Sequence, residues 1–168
     1  MPQAIYRVYN GPSPAAAAGP KVTTGTAVKT MLQLLHPSLP ISVIEWGISF
    51  DGSAAATPIE CELIHTTTVA ATVTAFVAND ITLLSDPAAS VPGLTLSTTG
   101  SGYTSTGEGT VVAPVGVGDY QLVAPTNQYL KQFPLGQEFN IPAAGILRVR
   151  VTAAAAVNCI CYVTFAVG

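Results

Sequence analysis

Four residues of this chain have the types that could hold a soft metal: Cys61, His65, Cys159 and Cys161. The run Ile59 to Thr67 alternates as a strand, which puts Ile59, Cys61, Leu63 and His65 on one face and Glu60, Glu62, Ile64 and Thr66 on the other. Cys159 and Cys161 are two apart in a second alternating run and share a face there. If those strands were neighbours, the four side chains would converge as a tetrahedral zinc set. The spacing matches no zinc signature, and each of the four lies on the apolar side of its alternation. The stronger reading is buried core, with no metal and no cofactor. A disulfide is also disfavoured. Cys159 and Cys161 have parallel Cβ directions and Cα atoms about 6.6 Å apart, and three cysteines are a poor disulfide framework.

Other chemistry is sparser. Glu60 and Glu62 could act as paired carboxylates, but glycosidase pairs oppose each other across a cleft, whereas these share an outward face. Arg148 and Arg150, also on one strand face, are their natural cross-strand partners. The histidines are His36, beside Pro37 in a turn, and His65, too few for the metal-binding interior of a cupin-like enzyme. The serines include no nucleophile elbow. Gly100, Gly102, Gly107 and Gly109 lack the strand-to-helix setting of a phosphate loop. Asp80, Asp86 and Asp119 are too scattered for a calcium loop. Trp46 reads as a core anchor. The chain is expected not to be an enzyme.

The elements that position these residues are all short strands. Ile41 to Phe50 alternates most clearly, with Ile44, Trp46, Ile48 and Phe50 assigned to the core face and Ile41, Val43, Glu45, Gly47 and Ser49 to the other. A strand is expected over Ala27 to Leu34. Asp119–Val123 and Tyr129–Phe133 follow as strands, and Pro134–Gln137 and Pro142–Gly145 as turns. Ile146–Ala153 should point Leu147, Val149 and Val151 inward and Arg148, Arg150 and Thr152 outward. Asn158–Val167 should bury Cys159, Cys161, Val163 and Phe165, joined to the preceding strand by a hairpin over Ala153–Val157. In residues 68–84 Val69, Val73, Phe76 and Val77 fit a helical spacing, but the Thr and β-branched content favours irregular or β structure. Residues 85–118, rich in Ser, Thr, Gly and Pro, read as one long surface excursion containing short strands, a candidate for contacts. About eight to ten strands without a helix imply an all-β fold, a jelly-roll-like β-sandwich with an extended N-terminal arm and long loops.

Six basic and nine acidic residues in 168, with a net charge of −3, leave a largely neutral surface. No basic patch points to nucleic acid. No apolar window of about 18 residues points to a membrane, and no signal peptide is visible. Residues 1–21 read as an arm and linker, and 22–168 as one β-sandwich domain. Within the arm, Ile5, Tyr6, Arg7, Val8 and Tyr9 form an apolar-tipped segment that could reach a neighbouring subunit. With Tyr103 they are the expected assembly contacts. Tyr103, Tyr120 and Tyr129 are the aromatics available to a carbohydrate-binding module.

Two stretches carry a resemblance: VIEWGISFDGSAAATPIECEL from Val43 to Leu63, and FPLGQEF followed by ILRVRVTAAAAVNCICY between Phe133 and Tyr162. They resemble virion structural proteins of tailed bacteriophages, in particular capsid decoration or auxiliary head proteins. The resemblance implies a β-sandwich that oligomerises, as a homotrimer, and docks on the major capsid protein as a cement. Its place would be the capsid surface of a virion made in the host cytoplasm. It supplies no catalytic residue. The alternative is a tail-tip or head-fibre module that binds a receptor or carbohydrate.

Overall fold

The computed structural model describes residues 4–14, 18–19, 21–53, 57–85, 92–110 and 114–168. Parts of the expected linker (15–17 and 20) and of the expected long excursion (86–91 and 111–113) lie outside the described residues. Among those described, the chain is all-β, with thirteen strands and one short 3-10 turn, Ala78–Asp80.

The strands are β1 (Ile5–Tyr9), β2 (Val22–Thr23), β3 (Lys29–Leu35), β4 (Ile41–Phe50), β5 (Ile59–Thr66), β6 (Thr72–Ala75) and β7 (Thr82–Leu83). They continue with β8 (Gly102–Gly107), β9 (Gly116–Val123), β10 (Gln128–Gln132), β11 (Phe139–Ile141), β12 (Ile146–Thr152) and β13 (Asn158–Val167). They form two antiparallel sheets. The first runs β10-β4-β13-β1-β7, with β11 also on β4 and β2 also on β13. The second runs β6-β8-β3-β12-β5-β9. The inward faces of both sheets supply one continuous core, with Val8, Trp46, Cys161 and Phe165 from the first and Leu32, Leu63, Val149 and Val151 from the second.

Four expectations are corrected. Ile41 and Val43 are core residues, and Ile44 is not. The ladder to β13 pairs Glu45 with Thr164 but Val43 with Phe165, so Ile44 is an extra, bulged residue. A bulge exchanges the two faces of a strand from that point on, and a strict period of two cannot anticipate it. The connection Ala153–Val157 is not a hairpin, since β12 belongs to the second sheet and β13 to the first. Ile5–Tyr9 is a strand, as read, but it is paired along its whole length with β13 and partly with β7. It is thus an interior strand of its own sheet, because Tyr6 and Val8 add to the core while Arg7 meets Thr164. Finally, Arg148 projects from the outer side of its sheet but is fully buried.

Candidate functional site: the outer faces of the two sheets

The outer face of the second sheet is roofed by its own chain over β3 and β12, whereas along β9 Val117, Tyr120 and Leu122 stay exposed. Gln33 and Arg148 are cross-strand partners on that face, and both are 0% exposed. The Gln33 side-chain amide acts as a stand-in strand. Its Oε1 accepts from the Ala71 N–H at 2.9 Å, and its Nε2 donates to the Gly100 carbonyl at 2.7 Å and the Ala71 carbonyl at 3.4 Å. Arg148 donates to the Glu108 carbonyl at 3.0 Å, to the Glu108 carboxylate and to the Thr30 hydroxyl. Glu108 in turn accepts from the Thr30 N–H at 2.6 Å and the Thr30 hydroxyl at 2.7 Å. Within the expected surface excursion, Gly100, Ser101, Ser105 and Glu108 thus bond inward onto the chain's own sheet, while Val115 and Val117 stay exposed. Beyond the roof Arg150 pairs with Glu62 at 2.6 Å, the cross-strand pairing expected from sequence.

Among the described residues no segment covers the outer face of the first sheet, and its side chains lie in cross-strand rows. One row is Tyr9, Tyr162, Gly47 and Leu130; the next is Arg7, Thr164, Glu45 and Gln132. Tyr9 and Tyr162 rings lie 5.9 Å apart. Gly47 is required there, since a Cβ would sit 2.6 Å from the Tyr162 ring. Arg7 stacks over that ring at 4.6 Å, pairs with Glu45 at 3.1 Å and donates to the Thr164 hydroxyl at 2.9 Å. The Tyr162 hydroxyl donates to Glu45 at 2.7 Å. Burial and the Glu45 carboxylate hold that phenol well above its ordinary pKa, so it remains a donor. Beside Tyr9 and Ile160 lies an apolar cleft of about 490 Å³, also lined by Pro12, Pro14 and Lys21.

The expected site residues thus divide. Ile5, Arg7 and Tyr9 belong to or border the open face, and Tyr6 and Val8 turn into the core. Tyr103 packs on Phe76 at 5.4 Å against the core. Tyr129 packs on Trp46 at 5.6 Å. Of the three tyrosines proposed for sugar stacking, Tyr120 is the exposed one.

The candidate metal set does not assemble. Cys61 lies on the second sheet and Cys159 and Cys161 on the first, all facing the shared core. Among the described residues no three His, Cys, Asp or Glu side chains gather as a metal site. Burial pushes the Cys61 and Cys159 thiols up to about 12 and Cys161 well above the ordinary range, as expected of small side chains packed in an apolar core. His65 is buried, its Nε2 has no hydrogen-bond partner among the described residues, and burial lowers its pKa.

Sequence reading weighed Asp119 only as an acid too scattered for a calcium loop and did not find its role. It accepts from Trp46 Nε1 at 3.1 Å, the Tyr129 hydroxyl at 2.9 Å and Gln121 Nε2 at 3.1 Å, with Lys131 at 3.4 Å. It ties β9 of the second sheet to β4 and β10 of the first. The available signal was an acid on the same parity as buried Val123.

Comparison of the chain with protein-family models, with curated proteins and with solved structures gives no match.

Proposed function

We propose that this chain is a structural subunit of a bacteriophage virion, a capsid decoration protein with a jelly-roll β-sandwich fold. It would associate with itself, as a homotrimer, and dock on the major capsid protein at the outer surface of the shell. Strand pairing supports the fold. Setting aside β2, β6, β7, β8 and β11, eight strands remain. The first pairs with the last (β1–β13), the second with the seventh (β3–β12), the third with the sixth (β4–β10) and the fourth with the fifth (β5–β9). That nesting is a long hairpin rolled on itself, the wiring of a jelly roll, an architecture common to viral capsid proteins, lectins and cupins. In this reading the expected arm is the first strand of the roll, and its outward side chains make contacts in place of a free tether.

The observation that carries the function is the open face of the first sheet. It is a flat row of Tyr9, Tyr162 and Leu130 beside Arg7 and Glu45. Tyr and Arg are enriched in protein interfaces because they cover much area with few rotors and keep a polar handle. A shell repeats such a contact many times, so a modest interface suffices. The test is addition of the purified chain to phage heads that lack it, followed by sedimentation and particle imaging. The expected result is saturable binding with density on the outside of the shell, weakened at least tenfold by Arg7→Ala with Tyr9→Ala. Density at the tail, or no association, would sink the reading. A glycan array is the arm that scores the receptor-binding alternative, which the cleft beside Tyr9 favours.

A further inference from the structure

We propose that the turn Pro142–Gly145 is an acid-released clasp between the two sheets, held shut by the uncharged ring of His65 and opened when that ring takes a proton. Such a clasp does not depend on the capsid reading.

Two connections cross from sheet to sheet at this end of the molecule. Residues 36–40 lead from β3 of the second sheet to β4 of the first, and residues 142–145 lead from β11 of the first to β12 of the second. A hydrogen bond joins the two crossings, from the Ala144 N–H to the His36 carbonyl at 2.9 Å. The turn also closes on itself, with the Gly145 N–H donating to the Pro142 carbonyl at 2.9 Å. Its backbone is not at rest. Ala144 stands at φ 60°, in the left-handed region that is costly for a residue with a Cβ, so contacts outside the turn must hold it there. Residues 142–144 are exposed and Gly145 is buried.

Beneath Gly145 lies His65, near the end of β5 and 7% exposed. In the ladders it stands between Leu147 of β12 and Gly116 of β9. A Cβ on Gly145 would sit 2.6 Å from His65 Nε2 and 2.9 Å from the Ile141 Cγ2 methyl, so the ring abuts the turn itself. His65 Nε2 has no hydrogen-bond partner among the described residues. A neutral imidazole tolerates such a place, because one of its ring nitrogens carries no proton. An imidazolium does not. Both nitrogens are then donors, and a buried charge without a partner is very costly. The short way to water leads outward, through the exposed turn.

The charged and titratable groups of the surrounding elements are committed elsewhere. Glu60 and Glu62 of β5, Arg148 and Arg150 of β12 and Tyr120 of β9 lie on the opposite, outer side of the sheet, where Glu62 pairs with Arg150. Asp119 of β9 is bonded to Trp46, Tyr129 and Gln121. Glu138, next to β11, accepts from the Gly136 N–H at 2.9 Å. In the facing connection His36 Nδ1 accepts from the N–H groups of Ser38 and Leu39 at 3.2 and 2.8 Å. Burial therefore acts unopposed on His65 and lowers its pKa. Once the turn lifts, the ring regains its ordinary value of about 6.5. A closed-state pKa below the open-state one keeps the clasp shut above about pH 6.5 and favours opening as pH falls below it.

The experiment is an NMR titration of the full chain from neutral to mildly acid pH, with amide hydrogen exchange corrected for its intrinsic pH dependence. Protection of the Ala144 and Gly145 amides should fall by about tenfold per pH unit below about pH 6.5, the slope of a one-proton linkage. The β12 ladder should keep its protection. His65→Leu, which fills similar space without a titratable nitrogen, should hold the two amides level across the range. His36→Asn, which keeps an acceptor for Ser38 and Leu39, should retain the wild-type fall. A fall that persists in His65→Leu, or that vanishes in His36→Asn alone, overturns the proposal. If His65→Leu does not fold, the wild type decides: the His65 ring and the Ala144 and Gly145 amide signals must shift with one midpoint. Separate midpoints, or a ring that stays uncharged until the whole chain unfolds, overturn the clasp. Head binding enters none of these readouts, so the capsid reading stands or falls separately.

Discussion

The outer faces of the two sheets carry similar residue types and put them to opposite uses. Arg148 of the second sheet with Glu108 of the segment over it, like Arg7 with Glu45 on the first sheet, are an arginine and a glutamate in contact. On the second sheet a covering segment excludes water, so Arg148 and Gln33 serve as internal anchors for backbone groups that would otherwise be buried unpaired. On the first sheet no described segment covers the pair, and Arg7 remains 30% exposed. An ion pair under a roof belongs to stability; one on an open tyrosine row is available to a partner.

Four substitutions put this contrast at risk. Glu108→Ala should have the largest effect, about 3–5 kcal/mol in urea unfolding, because it strands a buried guanidinium. A loss under 1 kcal/mol would mean that water reaches Arg148 and the roof is not closed. Next, Gln33→Ala removes the bonds to Ala71 and Gly100 and should cost about 1–3 kcal/mol. It should also open proteolytic cleavage near residues 67–71 before global unfolding; unchanged digestion would argue that the roof is held by packing alone.

Asp119→Asn, between the two faces, is expected to cost about 1–2 kcal/mol at neutral pH. Burial pushes the Asp119 carboxyl up, but bonds from Gln121 and Tyr129, the charge of Lys131 and the bond from Trp46 together hold it below the usual range. A depressed folded pKa stabilises the fold above the unfolded value of about 3.9 and is lost as pH falls through the folded one. Wild type should therefore lose stability more steeply than the variant as pH falls below about 4; parallel curves would remove Asp119 as the clamp. Smallest of all, Arg7→Ala should change stability by less than about 1 kcal/mol while weakening head binding. A large loss of stability there would make the open face structural and erase the contrast.

Much of the fold was legible. Leu147, Val149 and Val151 against Arg148 and Arg150, and Cys159, Cys161, Val163 and Phe165, fall on the faces that alternation assigns them. The Arg150–Glu62 pair was readable because same-face charges on neighbouring strands meet across the ladder. Ile44 was not, since one bulged residue reverses the parity on one side of it. The open face was half legible. Tyr9 and Arg7 stood out in an apolar segment, but Tyr162, Glu45 and Gly47 lie far away along the chain and meet only through the register of β1, β4 and β13.

Local alternation and turn residues determined by themselves that this chain makes short strands, which side of most of them is apolar, and that its three cysteines are core. Both are properties of neighbours in sequence, governed by the period of the strand and the transfer of apolar groups from water. Which outward face is roofed and which is open was decided only by tertiary structure. That choice depends on where residues 69–71, 100 and 108 come to lie after two sheets have closed on each other, and no periodicity in the strands beneath encodes it.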